Sequence, residues 1–216
     1  MSHNTIKSAQ NKTREVTLLS RFIIFFISFF CFVIGLFSPT SHANTETTSF
    51  YQNFDKLSFK NQKNQPFSVS QLDHKVVLFN FIYTQCASVC SIQTKTLAEI
   101  YNSLPSSVKS KVSFVSVSLD PLNDTPSKLK MYAKKNHADI NNWSFITGKP
   151  NDVVTLSDRL KLYGVDQKKR DLAVRPNDHT THIWLIDAKG QVMMRYMGDP
   201  MDKTRIAREI AQLTEY

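Results

Sequence analysis

Residues 75–104 read KVVLFNFIYTQCASVCSIQTKTLAEIYNSL, and the change of pattern along this stretch decides the fold. Residues 75–83 form an almost unbroken apolar run rich in β-branched and aromatic side chains, as expected of a strand buried on both faces. From Ile92 the period changes: Ile92, Leu97, Ile100, Tyr101 and Leu104 recur near helical spacing as far as Pro105, where a helix has to stop. Between the two patterns lie Cys86 and Cys90. A buried strand that hands over directly to a helix through a cysteine-bearing loop is an α/β unit.

Outward from this unit the same alternation continues. Residues 112–119 (VSFVSVSL) alternate strictly and predict a second strand, with Val112, Phe114, Ser116 and Ser118 on one face. Asp124 or Thr125 is placed to cap a helix that has Pro126 at its first position and an apolar stripe of Leu129, Tyr132 and Ala133, ending at Asn136 or His137. The stretch DPLNDTP around it is read as structural. A third strand is expected at residues 143–146, then a helix over 151–163 closed by Gly164, and a polar, irregular segment at 165–180. THIWLID and QVMMRYM flank Ala-Lys-Gly as a hairpin, and Ile206, Ile210 and Leu213 mark a closing amphipathic helix over 202–214. On the N-terminal side, residues 57–60 and 66–69 predict a hairpin leading into the domain. The order implies a thioredoxin-like three-layer α/β sandwich: a mixed central sheet with an N-terminal hairpin and flanking helices.

Before residue 44 the character is different. Residues 22–37 (FIIFFISFFCFVIGLF) carry no charge, follow Lys12, Arg14 and Arg21, and precede Ser-Pro-Thr-Ser-His-Ala. This is the pattern of an export signal, with Ser41 and Ala43 as the small residues of a cleavage site. The apolar run is short of the ~20 residues that cross a bilayer comfortably, yet the long basic leader also suits an uncleaved anchor. Residues 1–43 are therefore read as export signal or N-terminal membrane anchor, and 44–216 as one domain in an exported, periplasmic setting, soluble or tied to the inner membrane. Of the net charge of +9, residues 1–43 hold +3 and the rest +6. Lysines and arginines are spread along the chain without interleaved aromatics, which argues against nucleic-acid binding. The pairs Lys134 and Lys135, and the run Lys168, Lys169 and Arg170, are read as solvated faces.

Three cysteines occur, and Cys31 lies inside the apolar run, so Cys86 and Cys90 form the one pair of the exported domain. At a helix start, amides and dipole favour the thiolate of the first cysteine. Four residues of helix rise ~6 Å, inside the ~4.4–6.8 Å alpha-carbon window of a disulfide, and the same spacing lets both sulfurs face one metal ion. A bridge closing so short a loop restrains the unfolded chain little, which makes a purely structural disulfide a poor account. Redox exchange and metal binding both stay open. Of the late methionines, Met193, Met194, Met197 and Met201 are read as strand and helix filler.

FIYTQCASVCSIQ (81–93), SVSLDPLNDTPSKLKMYAKK (116–135), WSFITG (143–148), Tyr163-Gly164-Val165 and NDHTTHIWLIDAKG (177–190) together resemble the SCO/SenC copper chaperones over residues 76–198. The resemblance implies that Cys86, Cys90 and His179 bind Cu(I) or Cu(II), with Cys86 and Cys90 also forming a redox disulfide. It implies delivery of copper to the copper A site of cytochrome c oxidase. The partners would be the copper-bearing oxidase subunit and either a thioredoxin-like reductant or another copper chaperone. Soft thiolates suit Cu(I), and imidazole accommodates Cu(II). Two departures stand out: Ser91 follows the second cysteine where the family commonly has proline, and Ala87, Ser88 and Val89 are neutral. His182 lies outside the family pattern and shares its strand face with Trp184 and Ile186, so it is read as a packed or rim histidine, with an auxiliary copper ligand as the alternative. A thiol-disulfide oxidoreductase acting on an exported apo-protein is the alternative; it needs both cysteines but not His179, and the chain is not assigned as an enzyme.

Overall fold

The computed structural model describes residues 49–86, 88–162 and 181–215. Their centre is a seven-stranded mixed sheet. β3 (Val76–Ile82) pairs in parallel with β4 (Val112–Ser118), and β4 in parallel with β5 (Trp143–Gly148). The hairpin of β1 (Phe59–Asn61) and β2 (Pro66–Phe67) adds antiparallel to β5. On the other side, β6 (Ile183–Ile186) pairs antiparallel with β3, and β7 (Val192–Tyr196) closes that edge. The spatial order β2-β1-β5-β4-β3-β6-β7 therefore puts β3, the run that opened the sequence reading, deep in the sheet with all its residues buried.

Alternation along the strands separates two cores. Val76, Leu78 and Ile82 of β3 and Phe114 of β4 face α1 (Val89–Ser103), α3 (Pro126–Lys135) and α5 (Lys203–Leu213), which contribute Leu97, Ile100, Leu129, Ile206 and Ile210. Val77, Phe79 and Phe81 face the opposite layer, made by α4 (Pro150–Arg159) and an aromatic N-terminal segment containing Phe50, Phe54, Phe59 and Phe67. Three layers with apolar side chains on both faces of the sheet are what the period-2 and 3.6 patterns dictate. A short helix, α2 (Ser106–Lys109), follows the Pro105 break.

Most expected boundaries hold within a residue or two, with one instructive difference. α4 ends at Arg159 rather than near Tyr163. Lys161, at φ 50°, takes the left-handed position usually given to glycine, with Lys161 N–H donating to the Asp158 carbonyl and Leu162 N–H to that of Ser157, both at 3.0 Å. That is a Schellman closure, and the burial of Leu162 supplies the hydrophobic contact that holds a lysine in this conformation. Gly164, the expected terminator, lies outside the described residues. The methionines also differ from their reading as filler. Of the four, Met201 packs against a core; Met193 and Met194 are exposed on β7, an edge strand with four of its five residues uncovered, and Met197, just beyond that strand, is exposed as well.

Candidate metal and thiol site

β3 ends at Ile82, and the chain turns through Tyr83, Thr84 and Gln85 to bring Cys86 to the start of α1. This loop is held from below by Asp124. Its fully buried carboxylate accepts the Thr84 backbone N–H at 3.0 Å, the Thr84 hydroxyl, and the Ser118 hydroxyl at 2.6 Å. Sequence reading offered Asp124 or Thr125 as the cap of α3. Thr125 is that cap, accepting the Lys128 N–H, which frees Asp124 to clamp the cysteine loop to β4.

At the N-terminus of α1 the Ser88 side chain makes no capping bond. The sulfur of Cys86 accepts the Cys90 N–H instead, at 3.3 Å, so the first cysteine satisfies one of the helix's unpaired donors. The two thiols are free and unequal: Cys86 is half-buried, Cys90 buried. Partial burial opposes ionisation of Cys86, but hydrogen bonds from the Cys90 thiol, the Cys90 and Ser88 backbone and the Tyr83 hydroxyl outweigh it and hold its pKa below the ordinary thiol value. Burial, reinforced by the hydrogen bond to Cys86, pushes Cys90 up to about 12. Burial and the neighbouring Cys86 likewise raise the Tyr83 phenol. A Cys86 thiol that ionises more readily than its neighbour Cys90 is the arrangement of an attacking and a resolving sulfur, and the same pair, both deprotonated around a soft cation, would become two ligands.

A chain of buried polar groups runs from the centre of the sheet to this helix end. Trp143 Nε1 donates to Ser116 Oγ, Ser116 Oγ to Asn80 Oδ1, Asn80 Nδ2 to Gln93 Oε1, and Gln93 Nε2 to the Thr181 carbonyl, at 2.9, 2.6, 2.7 and 2.6 Å. Gln93 lies three residues beyond Cys90, and Thr181 opens the approach to β6. Sequence reading missed this relay; a polar residue at position 80 inside an otherwise apolar strand was its one visible sign.

His179 lies outside the described residues. Among the described residues no three His, Cys, Asp or Glu side chains gather at metal-binding distance, and no helix is long and apolar enough to cross a membrane. His182 packs by its ring against Trp184, 6.2 Å between centroids, and Trp184 belongs to the core on the sheet face opposite Cys90. Burial and then Arg195 lower its pKa. His182, read from the sequence as a packed or rim histidine with an auxiliary ligand as the alternative, thus lies against Trp184, and among the described residues it joins no group of three metal-ligating side chains.

The sequence profile of SCO1/SenC proteins matches residues 43–215. The chain belongs to the SCO1/SenC family. It is 28% identical over 147 residues to the SCO1 protein homolog of Bacillus subtilis, covering 67% of this chain and 73% of that one. A solved SCO1/SenC family lipoprotein from Bacillus anthracis superposes with a TM-score of 0.60 at 31% identity, over 72% of this chain and 91% of that one. ScoI of Bradyrhizobium japonicum, solved with copper bound, has a TM-score of 0.57 at 21% identity, covering 73% and 96%, a likeness of fold. Sco proteins are a family of cytochrome c oxidase assembly proteins.

Proposed function

We propose that this protein carries one copper ion on Cys86, Cys90 and His179 and delivers it to the copper A site of cytochrome c oxidase during oxidase assembly. The observation that carries the proposal is the Gln93–Thr181 hydrogen bond, which ties the approach to β6 to the first turns of the cysteine helix. His179 is two residues before Thr181, and two residues of chain span at most about 7 Å. Two sulfurs already in contact supply soft donors, and an imidazole adds a third that suits both oxidation states while leaving coordination open for transfer. Copper bound to the Sco relatives favours the same cargo here. Residues 1–43 would export the domain and hold it at the membrane where the oxidase is built, either until cleavage or permanently.

Copper titration of the reduced protein tests this. One copper per chain is expected, with thiolate-to-Cu(II) absorption abolished in Cys86→Ser and Cys90→Ser and strongly weakened in His179→Ala. Unchanged binding without His179 overturns the ligand set.

The inequality of the two thiols favours a second reading, exchange of disulfides with cysteines of an exported apo-protein. It requires both sulfurs and is indifferent to His179, so the same variant separates the two.

A further inference from the structure

The exposed side of Cys86 opens into a cavity of about 360 Å³ that neither reading uses. Its walls include Ser91 of α1 and Lys128, Met131, Tyr132 and Lys135 of α3. These α3 positions share one helix face by their spacing of three, four and seven residues. Lys135, read from the sequence with Lys134 as part of a solvated face, thus belongs to the wall of the thiol cavity. The Tyr132 hydroxyl is bonded to Thr94 Oγ1 at 2.9 Å, which fixes the α3 wall to the cysteine helix.

The charge of this lining is one-sided. It includes two ammonium groups and no carboxylate, and among the described residues neither lysine has an ion-pair partner, whereas Lys203 and Arg205 are paired with Glu99 and Glu209. Met131 is 64% exposed between the two lysines, a deformable apolar contact beside cationic groups.

We propose that this cavity docks an acidic segment of a partner polypeptide, with a carboxylate held between Lys128 and Lys135 and an apolar side chain against Met131. Docking there presents the partner's own sulfur to Cys86; the inference rests on the reading that Cys86 is the exchanging sulfur. Charge complementarity selects an acidic occupant. The concave lining, the exposed Met131 and the adjacent thiol select a peptide, since a flat lipid surface would not enter the cavity and a free anion would leave Met131 uncovered.

The test uses full-length Cys31→Ser/Cys90→Ser protein, in which Cys86 is the one remaining thiol. The probes are short cysteine peptides, one acidic, one neutral and one lysine-bearing, each activated as a pyridyl disulfide. Attack of the Cys86 thiolate on the peptide sulfur forms one S–S bond, breaks another and expels pyridine-2-thiolate, which absorbance follows; no external oxidant is consumed. At low salt the acidic peptide is expected to react about tenfold faster than the lysine peptide, and the gap narrows as salt shortens the screening length. With each rate taken relative to that of the neutral peptide on the same protein, Lys128→Glu/Lys135→Glu should invert the order of the acidic and lysine peptides, while Lys56→Glu/Lys63→Glu, an equal charge change on exposed lysines elsewhere, should preserve it. Equal rates for the three peptides overturn the proposal. So does inversion by the Lys56/Lys63 variant, which would mark a general field. Loss of binding to phosphatidylglycerol vesicles in the Lys128/Lys135 variant, with peptide rates unaltered, assigns the face to membrane and also overturns it. The neutral-peptide rate on these proteins, and copper stoichiometry on the matching lysine variants that retain Cys90, report the Cys86 reading separately.

Discussion

The side-chain amide of Gln93 donates to the backbone carbonyl of Thr181 at 2.6 Å while its oxygen accepts from Asn80 at 2.7 Å. One buried side chain thereby joins the cysteine helix, the central strand and the segment that follows His179. Gly198 makes the contact possible: a Cβ there would stand 1.7 Å from the Thr181 oxygen and 2.0 Å from Gln93 Nε2.

Gln93→Leu keeps the volume but strands the Asn80 donor and the Thr181 acceptor. A loss of about 1–3 kcal/mol is expected, read by chemical denaturation of the apo-protein. Copper affinity should fall in parallel with that of His179→Ala. Unaltered stability would mean that the relay contributes nothing.

Gly198→Ala forces backbone, not just a flexible side-chain end, to move. The expected cost is about 1–3 kcal/mol. Because the clash falls on the Gln93–Thr181 pair, Gln93→Ala and Gly198→Ala should be non-additive by at least about 0.5 kcal/mol in a double-mutant cycle. Simple additivity would show that the two sites do not communicate.

Asp124→Asn leaves one acceptor oxygen to serve the Thr84 N–H and the hydroxyls of Thr84 and Ser118. We expect destabilisation of about 1–3 kcal/mol, with faster alkylation of both cysteines as the loop loosens. A variant as stable as the parent would remove Asp124 from its role as clamp.

Alkylation by iodoacetamide should follow the order Cys86 before Cys90. A lowered Cys86 pKa means that its thiolate is present at pH values where an ordinary thiol is still protonated, so the midpoint of the rate profile lies below the usual thiol value. Cys90→Ala removes a hydrogen bond to that sulfur and should move the midpoint up. With Cys86→Ser, Cys90 should stay unreactive at neutral pH, in keeping with burial that pushes it up to about 12.

Glu209 accepts from the Tyr196 hydroxyl and pairs with Arg205 at 2.8 Å. Partial burial raises its pKa, but these two donors outweigh that and depress it. A carboxylate depressed in the folded state contributes stability above its unfolded pKa, and this contribution is lost as pH falls through the folded pKa. Glu209→Gln should therefore melt slightly below the parent at neutral pH and match it in acid. A gap that persists in acid would point to packing instead.

Much of this was legible locally. Strand β3, the alternation of β4, the Thr125–Pro126 start of α3 and the two cysteines at a helix entrance are each written within a dozen residues, because hydrophobic period and capping chemistry act over that range. Asp124 was seen but underread: a cap and a buried clamp look alike in sequence, and only the position of Thr84, forty residues earlier, distinguishes them. The exposure of Met193, Met194 and Met197 was likewise hidden, since apolar character says that a residue prefers burial, not whether a neighbouring strand is there to provide it.

The amino-acid order by itself determined the layered α/β plan, the family and the sulfur pair, all of which rest on short-range patterns and nearby motif residues. Tertiary structure alone decided which sulfur ionises more readily, that Gln93 reaches Thr181 across 88 positions, and that Lys128 and Lys135 line the thiol cavity. Burial, hydrogen-bond geometry and the juxtaposition of charges depend on which distant segments the sheet order brings together, and no local pattern encodes that.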